Sequence, residues 1–245
     1  MDATLLLFLL LSLIAEILGT VGGFGSSVYF VPLANLFLDF KSVLGITAIF
    51  HLSSNISKMF LFKKGLNKFL MIYIGVPAVI MVIAGGILSN YLDERILQIA
   101  FAIFIILTSL FFLWFSKFTL NADKKNAIIG GTASGFLAGV LGTGGAIRGI
   151  TMVAFNIEKE QFIATSAAID FAVDFSRTIV YFINGYMHTE HLKYMISLIV
   201  VGFVGTWIGK KVLERISQEW FKKVVLVLLF GIGVFSLVNS LIQQG

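Results

Sequence analysis

The residues best suited to chemistry in this chain gather in two glycine-rich stretches and in the segments that follow them. LGTGGAIRG, residues 141–149, carries Arg148 just after Gly142, Thr143, Gly144 and Gly145, within a stretch from Ala127 to Phe155 that is otherwise apolar enough for a membrane interior. GTVGGFGSS, residues 19–27, matches it with Gly22, Gly23, Gly25, Ser26 and Ser27. Glycine lets the backbone come close to a ligand. Where a chain reverses at such glycines, the returning helix begins with unpaired N–H groups and the positive end of its dipole, an arrangement that favours an anion. Ser26, Ser27 and Thr143 add hydroxyl donors. Arg148, about one turn into the second returning arm, adds a guanidinium fork suited to an oxyanion.

A second set of polar residues lies along two apolar segments. His51, Asn55 and Lys58 share i, i+4, i+7 spacing with Asp170, Asp174 and Arg177, so each triplet lies on one face of a helix. Glu16 sits close to the first glycine stretch, where a carboxylate is costly without a purpose or a partner. Simpler roles stand beside these. A glycine cluster can be a close-packing surface, Asp174 and Arg177 an intramembrane ion pair, His51 and Asn55 helix-to-helix hydrogen bonds, and Lys58 a residue that snorkels toward water. Glu16, Asp170 and Asp174 balance Lys58, Arg148 and Arg177, leaving the set neutral while His51 is uncharged. Admitting an anion then calls for a proton, taken up by His51 or by one of the carboxylates.

The elements that position these groups are membrane helices. The chain is 58 % hydrophobic and 13 % charged, with mean hydropathy +0.97, well outside the soluble range. Apolar runs of about twenty residues, long enough for a bilayer of roughly 30 Å, recur at 42–62, 69–91, 96–116, 161–184, 194–212 and 224–242. The first segment lacks a basic start and a small-residue cleavage site, and is expected to be retained structure. The chain has no cysteine, which excludes disulfides and thiolate metal sites. Its net charge of +5 fits Lys and Arg in cytoplasmic loops and does not call for a nucleic-acid partner.

The sequence also repeats itself. ERILQIAF at 94–101 returns as ERISQEWF at 214–221, an offset of 120 residues at which the two glycine stretches also coincide. Two halves, 1–120 and 121–245, follow, divided at the polar linker Asn121 to Asn126. Ala3 to Leu38 as one straight helix would be about 54 Å long, so it must break, and the glycines mark the reversal. If both glycine segments are hairpins, Lys41, Arg95 and Lys193 lie on one side. Lys63, Lys64, Lys68, Lys117, Lys124, Lys125, Lys159, Lys210, Lys211, Arg215, Lys222 and Lys223 lie on the other, which is then cytoplasmic. Single crossings erase that bias. Each half therefore holds one hairpin and three crossings, an odd number, so the expected fold is an all-α polytopic membrane protein of two inverted repeats, with both termini outside. Duplication of this kind is a transporter pattern.

GTVGGFGSSVYFVP and GVLGTGGAIRGITM, 120 residues apart in a chain of this size, resemble the sulfite exporter family TauE/SafE over nearly the whole length. The resemblance supports Gly22, Gly23 and Gly25 with Pro32, and Gly142, Gly144 and Gly145 in the second copy. It implies movement of sulfite, sulfonates or related anions across the prokaryotic cytoplasmic membrane; no cofactor is expected. Two residues depart from the family pattern: Met152 stands where the second copy often has proline, and Arg148 replaces a usually apolar residue, which favours a divalent or carboxylate-bearing sulfonate over sulfite. An anion channel, or a carrier of another small anion such as a carboxylate, shares these features. An enzyme is not expected, because the three histidines offer neither a metal-ligand cluster nor a base beside a nucleophile, and His188 and His191 read as solvated in an outer loop. Oligomeric state is not readable from the sequence.

Overall fold

The computed structural model describes residues 3–22, 25–62, 65–115, 120–215, 227 and 230–238, and these form helices joined by turns and short loops, with no strand among them. The long helices are α1 (Ala3–Gly22), α3 (Phe40–Leu61), α6 (Glu94–Trp114), α7 (Lys124–Leu141), α9 (Lys159–Ile183) and α10 (Leu192–Leu213). A short α4 (Lys68–Leu70) runs through a π-helical turn, Met71–Gly75, into α5 (Val76–Tyr91) as one span. Two short helices, α2 (Ser27–Ala34) and α8 (Gly145–Val153), follow the glycine stretches. About half of the last expected crossing, 224–242, lies outside the described residues, as do Gly23 and the lysines 63, 64, 117, 222 and 223.

Among the described residues, four spans are long and apolar enough to cross a membrane: Ala3–Val21, Lys68–Tyr91, Glu94–Trp114 and Thr189–Leu213. Their outward faces carry exposed apolar side chains, such as Val76, Ile80 and Ile87 on α5 and Ile196, Val200 and Trp207 on α10, as a lipid-facing surface requires. The expected crossings at 42–62 and 161–184 form α3 and α9, of 22 and 25 residues, which are long enough but more polar. Polar residues are tolerated there because the two helices pack on each other in the interior.

Both glycine segments are hairpins. Gly19 packs against the backbone of Ser26 while Phe8, near the start of α1, meets Phe30 and Phe37, so α1 and α2 lie antiparallel. Gly144 packs on the carbonyl of Ser134 and Gly130 on Thr151, so α7 and α8 do the same. The returning arms have 8 and 9 residues, roughly 12 and 14 Å at 1.5 Å per residue, less than half a bilayer. Gly25 (φ +83°) and Gly142 (φ +73°) take the left-handed conformation at the two reversals, where a side chain is strained.

Contacts fix the relative directions of the helices. Phe8 meets Tyr194, Glu16 meets Gly205 and Thr20 meets Gly209, so α1 runs parallel to α10. Gly131, Gly135 and Gly139 pack in turn on Ile74, Ala78 and Val82, so α7 runs parallel to α5 with small residues allowing close approach. Gly45 meets Tyr186 while Asn55 meets Asp174, which makes α3 and α9 antiparallel.

Candidate functional site

The three acids and three bases singled out in the sequence, Glu16, Asp170 and Asp174 with Lys58, Arg148 and Arg177, pair one to one, all but Lys58 and Asp170 being buried. Glu16, on α1 and fully buried, takes Lys58 Nζ of α3 at 3.1 Å on Oε1. The same oxygen accepts the hydroxyls of Thr20 (3.1 Å) and Thr206 (3.0 Å), and Oε2 accepts that of Ser26 at 2.5 Å. The carboxylate is thereby saturated with donors, which offsets the loss of its hydration. Lys58 does not snorkel as its alternative role required. Its side chain is 12 % exposed and turns inward to Glu16, because an unpaired carboxylate at that depth would cost more than the lysine gains from water.

Asp174 and Arg177, one turn apart on α9, pair through Nε and Oδ1 at 2.8 Å, with the N–H not aimed at the oxygen, so the contact is Coulombic and not a hydrogen bond. Asp174 Oδ2 accepts Asn55 Nδ2 at 2.7 Å. Arg177 Nη1 donates to the carbonyls of Gly142 (2.8 Å) and Ala138 (3.4 Å), and the Tyr181 hydroxyl donates to those of Gly139 and Ala138. These donors cap the C-terminal carbonyls of α7, that of Ala138 also accepting the Gly142 N–H.

His51 lies between the two hairpins. The Ser26 hydroxyl is spent on Glu16, so Ser26 Oγ accepts from His51 Nε2 at 3.0 Å. That leaves Nδ1 as the acceptor for Arg177 Nη2 at 3.3 Å, with Asp174 Oδ2 3.9 Å from it. The tips also touch directly, since the Ser27 hydroxyl donates to Thr143 Oγ1 at 3.1 Å.

Arg148, 4 % exposed, does not present an empty fork. Its two terminal nitrogens hold the two carboxylate oxygens of Asp170 on α9, and its Nε donates to Ser166 Oγ at 3.1 Å. The Asp170 side chain is 23 % exposed, against 4 % for Asp174 and none for Glu16.

The glycines divide by role. Gly25 and Gly142 make the reversals, and Gly144 and Gly139 pack against backbone, which is the close-packing role. Gly22 ends α1 and Gly145 begins α8. Neither α2 nor α8 has a side-chain cap on its first turn. His191, expected to be solvated, is buried with Nδ1 unpartnered, because Thr189–His191 folds as a 3-10 turn that sets its ring against Tyr194. Among the described residues no group of three His, Asp or Glu is placed to hold a metal ion.

Sequence reasoning missed Ser166, Thr20, Thr206 and Tyr181. Ser166 stands one turn before Asp170 on the same helix face, a spacing that could have found it. Thr206 is a lone hydroxyl in an apolar run and carries no such signal.

A family model described as Sulfite exporter TauE/SafE matches residues 8–236. No curated protein and no solved structure matches the chain.

Proposed function

Because this chain belongs to the sulfite exporter TauE/SafE family, whose membership implies membrane transport of sulfur-containing anions such as sulfite, we propose that it is a proton-coupled secondary transporter of a small sulfur-containing oxyanion. The anion binds beside the second hairpin, with Arg148 as its cationic partner. The observation that carries this reading is a buried arginine at the start of a short returning arm, whose counter-ion is the most open acid of the buried set. The paired charges are neutral in sum, so a bound anion is balanced by one proton. Glu16 is an unsuitable carrier because it is already saturated by Lys58 and three hydroxyls.

The repeats are inverted in this reading. Support comes from α1 running parallel to α10 and α7 parallel to α5, with α3 and α9 antiparallel, an exchange of partners between halves that share a sequence pattern. The protein sits in the prokaryotic cytoplasmic membrane, with the lysine-rich ends inside. At that end Lys210 Nζ reaches the carbonyl of Leu61.

Anion flux into proteoliposomes under an imposed pH gradient tests the reading. Sulfite, sulfate and a carboxylated sulfonate are compared for the parent and for Arg148→Ala. Flux that depends on the gradient and is lost in the variant is expected. Flux far above transporter turnover and indifferent to pH makes the protein a channel, and a preference for simple carboxylates redirects the substrate class.

A further inference from the structure

We propose that Asp170 occupies the seat of the transported anion, so that an oxyanion binds Arg148 only by displacing this carboxylate. The inference rests on the transport reading and assigns the competitor within it. Three observations carry it. The two terminal nitrogens of Arg148 and its Nε are already engaged, by Asp170 and Ser166, and the guanidinium is nine-tenths buried, so no second anion has a free fork to enter.

The exposed part of Asp170 faces the protein interior. On α9 it shares a face with Asp174 and Arg177, at i+4 and i+7, whereas the exposed residues Phe175, Ile179 and Ile183 lie on the far side of the helix. The site is also particular to the second hairpin. At the offset of 120 residues Arg148 falls on Val28, a buried apolar residue, so the first hairpin has no equivalent fork.

The geometry sets the ligand class. A seat filled by a carboxylate accepts a small anion that presents two oxygens with a similar bite, as sulfonates and sulfite do. Charge balance sets the exchange. One proton from the entering solution bonds to an oxygen of Asp170, the anion takes the two N–H bonds released, and the net charge of the set is unchanged. The charged or titratable groups around this exchange are Arg148 on α8, Asp174 and Arg177 on α9, His51 and Lys58 on α3, and Glu16 on α1.

Calorimetric binding of methanesulfonate and sulfite to the purified full-length protein tests the proposal; methanesulfonate keeps a constant charge across the range used. The parent is expected to bind methanesulfonate more tightly as pH falls, with uptake of about one proton per anion, read from buffers of different ionisation enthalpy. Asp170→Asn removes the competitor and is expected to bind roughly tenfold tighter at neutral pH, the equivalent of about 1.4 kcal/mol, with no pH dependence. A purely structural ion pair predicts the opposite, weaker or unchanged binding in the variant, and either result overturns the proposal. Should Asp170→Asn fail to fold, proton uptake by the parent decides, and binding without uptake overturns it. Failure of the parent to bind either anion counts against the transport reading itself.

Discussion

The two hairpins solve the same problem in different ways. Each brings a charged residue into the protein interior near a glycine reversal, and each meets its counter-ion on one of the two central helices, α3 or α9. At the first, the acid is on the hairpin and the base on α3; Glu16 is fully buried and its oxygens are filled by Lys58, Thr20, Thr206 and Ser26. At the second, the base is on the hairpin and the acid on α9, and Asp170 keeps an open edge. A saturated acid is a structural fastening, because any exchange of partner strands several donors at once. An acid held by one arginine and partly exposed strands fewer donors when it lets go, which is what the proposed exchange requires.

Substitutions break this comparison in a definite order. Glu16→Gln should cost most, about 3–5 kcal/mol, because it leaves Lys58 buried without a counter-charge. The loss is read as a fall in thermal midpoint and in folded yield from detergent. Adding Lys58→Met should recover much of the deficit, since removing both charges of a buried pair is far cheaper than removing one. Recovery is absent if the lysine has an independent role.

Arg148→Ala should cost less stability, about 1–3 kcal/mol, because Asp170 is partly open, yet it should abolish flux. A variant that unfolds as readily as Glu16→Gln would erase the distinction between the two hairpins. Gly142→Ala should cost about 1–2 kcal/mol through its left-handed backbone, aggravated by the Leu44 side chain beside it. Ser27→Ala, which removes only the hydroxyl contact between the tips, should cost least, roughly 0.6 kcal/mol. An effect on flux much larger than its effect on thermal midpoint would show that the tips must stay joined during transport.

Much of the architecture is legible in the sequence. The apolar runs place α3, the span through α5, α6, α9 and α10 to within a few residues, since hydropathy over twenty residues is a strong signal. The reversals at Gly25 and Gly142 were legible because glycine clusters are poor helix formers in the middle of a segment too long for one crossing. The length of the returning arms was not, since an apolar run ends a helix only where its surroundings end it. The candidate site divides in the same way. His51, Asn55 and Lys58, and Asp170, Asp174 and Arg177, were placed on single faces by spacing alone. The destination of Lys58 was not legible, because snorkelling and pairing with Glu16 use the same side chain at the same position and differ only in what lies beside it.

The sequence by itself determined that this is a helical membrane protein with two glycine reversals and a buried charge set that sums to zero, because hydropathy, backbone propensity and charge counts are local or additive quantities. Only the tertiary structure decided that Arg148 faces Asp170, that Lys58 faces Glu16 and that His51 joins the two hairpins through Ser26 and Arg177. Those partners lie far apart along the chain, or on different helices, and a Coulombic or hydrogen-bonded pair depends on the distance between its atoms, which packing alone sets.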